Sequence, residues 1–135
     1  MFPYGEDNGA VADAEHLIKS YDIESLLDEI ASADPPAYLH RCFAEGMAAA
    51  QLSFARVQQL AVCAMVIDAV VDGQTYAGLE EELIADWHEH YLGQFASLKP
   101  LAARVLQGLI ERGAASLDPE ALAELRQLEH RLAGA

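Results

Sequence analysis

Residues 60 to 71, LAVCAMVIDAVV, place apolar side chains on every side of a helix and offer water only Asp68. Such a segment is stable only when surrounded, so other helices have to pack around it. The rest of the chain has the means to do so. Apolar residues recur at three-and-four spacing, and no stretch alternates with period two long enough to make a strand. The expectation is an all-α fold, a single compact bundle of six or seven helices with a long apolar central helix. The 135 residues, 53% hydrophobic, suit one core. We therefore expect a flexible N-terminus over residues 1 to 9 and one helical domain over 10 to 135.

Within this scheme a short helix fits residues 10 to 19 and another fits 23 to 33, burying Leu26, Leu27 and Ile30. Asp34-Pro35-Pro36 ends the second, because a residue preceding proline is pushed out of the α region, and Pro36 can open the next. Leu39, Phe43, Met47, Ala50, Phe54, Val57, Ala61 and Ala64 then form one stripe. That stripe predicts a single long helix, or two nearly collinear ones broken near Gly46, ending at Gly73. Further helices fit 78 to 97, from Pro100 to Gly113, and from Asp118 onward. Asp118 there serves as N-cap, Pro119 opens the first turn and Glu120 lies near the positive end of the dipole. Leu122, Leu125, Leu128 and Leu132 on this last helix suit a helix that closes its own bundle or one that pairs with a second copy as a homodimer.

Acids outnumber bases 22 to 8, for a net charge of −14. Phosphate-rich surfaces would repel such a chain, which argues against nucleic acid and anionic lipid and for basic proteins, cations or neutral ligands. The N-terminus shows no basic or apolar signal segment. The longest apolar run, Leu60 to Ile67, falls short of a bilayer span, so we expect no membrane insertion and a soluble, cytoplasmic protein. Cys42 and Cys63 lie inside apolar stretches, where a free thiol behaves as a small hydrophobe.

The charge is concentrated. Residues 68 to 98 hold seven acids and no Lys or Arg. Glu80, Glu81, Glu82, Asp86, Glu89 and His90 form the candidate partner-binding surface, directed at a basic protein. A different use of the region is a divalent-cation site built from Asp68, Asp72, Glu82, Asp86 and His90. Glu82, Asp86 and His90 share one helix face at four-residue spacing, whereas His88 and His90 point about 200° apart and cannot share an ion on a helix. Asp68, interrupting the apolar run, needs a partner such as Arg56, Arg104 or a tyrosine hydroxyl. His16, His40 and His130 have no partner that the sequence identifies, and Trp87, Tyr91 and Phe95 read as core. No phosphate loop, nucleophile elbow or CxxC pair is present.

The run from Val57 through His90, with Asp72-Gly73 followed by Glu80, Glu81 and Glu82, resembles the repeat unit of TerB-like tellurite-resistance domains. The resemblance implies a helical bundle whose acids around the turn can meet a cation, serving as a stress-response or accessory module. The expected function is thus non-catalytic, acting by binding and without a cofactor. The alternatives are an immunity protein or inhibitor covering a basic toxin or nuclease surface, and a metal-dependent helical-bundle enzyme.

Overall fold

A computed structural model describes residues 11–12, 14–49, 51–113 and 117–134. It is all-α apart from one minimal strand pair. The elements are β1 (Val11–Ala12), α1 (Ile23–Ser32), α2 (Pro35–Ala48), α3 (Phe54–Asp72), β2 (Thr75–Tyr76), α4 (Glu81–Gly113) and α5 (Pro119–Gly134). Five helices stand among the described residues, fewer than the six or seven expected. The flexible start expected over residues 1 to 9 lies outside them.

Every residue from Leu60 to Val70 is buried, so α3 is the central helix its composition requires. It packs against α2, α4 and α5. By length and composition α3 as a whole could cross a membrane, which the shorter Leu60 to Ile67 run could not. With 72% of its apolar window buried by the rest of the bundle, it is here a core helix. Ser53 caps its start through the Arg56 N–H at 3.2 Å. Gly73 ends it with φ 75°, a left-handed conformation that costs glycine little.

Three departures from the sequence expectation set the helix count, the first and the third by removing one helix each. Residues 14 to 20 form turns instead of a helix, because their backbone groups find partners elsewhere. Glu124 of α5 accepts the His16 and Leu17 N–H groups, and Gln58 of α3 donates to the Leu17 and Lys19 carbonyls. Ser20, at φ 65°, turns the chain away. β1, just before, pairs in parallel with β2, Val11 opposite Thr75.

The stripe from Leu39 to Ala64 belongs to two helices that double back on each other, not to a collinear pair. The break falls after Ala48, later than Gly46, and Gly46 faces Leu60 so closely that a Cβ there would lie 2.7 Å from a leucine methyl. Met47 and Phe54, on either side of the connection, are about half exposed. Finally, α4 continues through Pro100 as one helix. An internal proline removes one backbone hydrogen bond and costs about 3 kcal/mol. Ala102, Ala103, Val105, Leu106 and Leu109 beyond it are all buried, and burial of ordinary aliphatic side chains contributes about 1.5–3 kcal/mol each, enough to carry the helix on.

α5 starts as its sequence predicts, Asp118 Oδ1 accepting the Ala121 N–H at 2.8 Å. Leu125, Leu128 and Leu132 are buried in the bundle and Leu122 partly so.

Candidate functional site

The candidate region begins where α3 ends. The last carbonyls of a helix lack partners within it, and α4 supplies them for two neighbours. His88 Nδ1 lies 2.6 Å from the Val70 carbonyl at the end of α3, so Nδ1 carries the proton and donates. Arg112, far along the same helix, donates to the carbonyls of Gly46 and Ala49 at the end of α2. His90 turns to its own helix, with Nδ1 2.9 Å from the Asp86 carbonyl. The two imidazoles thus diverge, as helix geometry requires.

The acids divide into an engaged set and a free set. Asp68 is 1% exposed and accepts the Tyr76 hydroxyl at 2.5 Å, with Arg131 Nε 3.6 Å from the same oxygen. Burial pushes its carboxyl above the usual range, a rise that the Tyr76 hydrogen bond and the Arg131 charge reduce. Burial, then the hydrogen bond to Asp68, holds the Tyr76 phenol well up. Of the partners expected for Asp68, a tyrosine hydroxyl is found. The arginine is Arg131, since Arg56 pairs with Glu45 instead. Asp72 is exposed and bound to Lys99 at 2.8 Å.

Glu80, Glu81, Glu82, Asp86, Glu89 and His90 are all exposed along the beginning of α4. Asp86 meets His90 at 3.2 Å, and the Asp86 carbonyl and then its charge raise the imidazole's affinity for a proton. Among the described residues no Lys or Arg pairs with any of these five acids. The first three gain from the positive end of the helix dipole. Asp86 and Glu89 lie beyond the first turn, and the four-residue spacing of Glu82 and Asp86 is repulsive.

The structure does not gather Asp68, Asp72, Glu82, Asp86 and His90 into one cluster. Asp72 is held at Lys99, whereas Glu82 sits 17 positions earlier on the same helix, roughly 25 Å of rise. No group of three or more ligating side chains that could hold an ion occurs among the described residues. Beside the acidic face is instead a cleft of about 390 Å³. Ala69, Tyr76, Leu79 and Ile84 give it apolar walls, and the exposed Glu81 and His88 also line it.

Trp87 and Phe95 are buried with ring centroids 6.1 Å apart, and Phe95 stacks on the half-buried Tyr91. They are core, as read. Sequence reasoning missed the roles of Tyr76, His88, Lys99 and Arg131, and that of Glu124. Glu124 is buried at 8% exposure and holds His16 Nδ1 at 2.9 Å. No family model, curated protein or solved structure matches the chain.

Proposed function

We propose that this protein acts by binding and not by catalysis, receiving a basic protein partner on the acidic face at the beginning of α4. The observation that carries this reading is the set of exposed carboxylates at Glu80, Glu81, Glu82, Asp86 and Glu89, none offset by a Lys or Arg among the described residues. A helix is a rigid mount for such charges, and a field of one sign accelerates capture of the opposite sign. The adjacent cleft suits the apolar stem of a lysine or arginine, whose charged end would remain near Glu81.

A TerB-like stress-response or accessory module is the first form of this reading, supported by the Asp72-Gly73 turn followed by the acids. An immunity protein or inhibitor that covers a basic toxin or nuclease surface is the second, supported by the charge of −14. The test is a titration with an arginine- and lysine-rich peptide followed by amide chemical shifts. Shifts should concentrate at residues 79 to 90, fade with added salt, and disappear in a variant carrying Glu81→Gln, Glu82→Gln, Asp86→Asn and Glu89→Gln. Equal binding by that variant would end the proposal.

A further inference from the structure

The chain has two cysteines, Cys42 on α2 and Cys63 on α3, both reduced and buried. The doubling back of α2 on α3 places them together. From the contact of Gly46 with Leu60, one turn back along α2 reaches Cys42 and one turn forward along α3 reaches Cys63. The two thiols are in hydrogen-bond contact. A disulfide needs Cα atoms about 4.4–6.8 Å apart, whereas packed helix axes usually lie about 8–10 Å apart. Gly46, lacking a side chain one turn from the thiols, lets α2 and α3 pack closely there.

The two sulfurs differ in environment. Cys63 is wholly enclosed, and Cys42 retains 4% exposure. The contact with Cys63 lowers the proton affinity of Cys42, opposed by burial and by the Glu45 charge and helped by the nearby Arg56 and Arg41 charges. The same contact, and then burial, raise the proton affinity of Cys63. Thiolate character and access thus favour one member of the pair.

We infer that Cys42 and Cys63 form a reactive dithiol that hydroperoxides oxidise to a disulfide within the chain, with Cys42 the attacking sulfur and Cys63 the resolving one. The Cys42 thiolate attacks one peroxide oxygen, the O–O bond breaks, and the departing alkoxide leaves as an alcohol after taking a proton. Cys42 becomes a sulfenic acid. The Cys63 sulfur then attacks the Cys42 sulfur, its proton leaving with the displaced hydroxide as water. Two thiols and one hydroperoxide give one disulfide, one alcohol and one water, with two electrons passing from sulfur to oxygen. This chemistry is separate from partner binding on α4 and stands or falls independently.

The test exposes the folded, full-length protein to hydrogen peroxide and to tert-butyl hydroperoxide. Free thiols should fall from two to none per chain. The intact mass should drop by two hydrogens, and trypsin should release the peptide ending at Arg56 linked to the one carrying Cys63. In Cys63→Ala, dimedone should label Cys42. Two thiols persisting in the folded chain under conditions that oxidise it in urea would overturn the inference. So would a disulfide formed only between chains, or dimedone labelling of Cys63 in Cys42→Ala.

Discussion

Replacing Tyr76 with phenylalanine removes one oxygen and leaves the ring, so it tests the Asp68 environment without opening a cavity. Among the described residues Tyr76 is the side chain that donates to Asp68, and Arg131 Nε at 3.6 Å contributes charge without a hydrogen bond. Hydrogen bonds to charged groups contribute about 1.5–3 kcal/mol, and Asp68 at 1% exposure has little water to replace the lost donor. A loss of about 2 kcal/mol is therefore expected. For a chain of 135 residues, at about 4 °C per kcal/mol, this corresponds to a fall of about 8 °C in Tm. Urea unfolding should show the midpoint moving with the slope unchanged, marking a change in stability and not in the unfolded ensemble. Adding Asp68→Leu to Tyr76→Phe should recover part of the loss, since removing the stranded charge also removes the penalty of burying it. A change within about 0.5 kcal/mol for Tyr76→Phe, the range of ordinary surface substitutions, would refute the claim that Asp68 depends on this hydroxyl.

The other predictions concern charge, packing and metal. The Asp68 carboxyl is raised on folding, so the folded state holds this proton more strongly than the unfolded one. Its contribution is most favourable below the unfolded carboxylate pKa and is lost as pH rises through the folded pKa; Asp68→Asn should remove that slope from denaturation measured against pH. His16 is also raised, chiefly by its hydrogen bond to Glu124. Its contribution is present at acid pH and lost as pH rises through and above the ordinary histidine range, and His16→Ala should flatten the profile there. Gly46→Ala gains about 1 kcal/mol in helix propensity and loses about 1–3 kcal/mol to crowding against Leu60. A net loss of up to about 2 kcal/mol in urea unfolding is the expected result. EDTA, or added calcium, zinc or manganese, should leave Tm unchanged, with Asp68 and Asp72 already engaged by protein groups; a rise of several degrees with one metal would restore the cation reading of the acidic region.

Local periodicity was informative where a helix makes its contacts with one continuous face. It identified α1 and α5 with their buried leucines, the buried central run of α3, and the capping residues Asp118 and Gly73. It misled where the spacing happened to persist across a reversal. Met47 and Phe54 keep the three-and-four rhythm although the chain turns between them. Pro100 looked like a helix start because its missing N–H is harmless there, and equally it can be carried within a well-packed helix. The turns at residues 14 to 20 depend on Gln58 and Glu124, partners that no local window contains. In the candidate site the exposed carboxylates of α4 were legible one by one, since each is polar on an outward face. The placement of Asp72 at Lys99 was not, because it depends on where α3 crosses α4.

The carboxylate of Glu124 also bears on the order of assembly. His16 and Leu17 are synthesised long before the group that accepts their N–H bonds, and the Leu17 contact spans 107 positions. At about 5–20 residues per second, a ribosome takes roughly 5 to 20 s to cover that interval. α1, α2 and α3 can fold against one another in that time, and Gln58 can already hold the Leu17 and Lys19 carbonyls, but the His16 and Leu17 N–H groups have no acceptor until α5 emerges. The contact with Glu124 therefore forms late, and closing so long a loop over a bundle already formed makes it a final clasp on the fold.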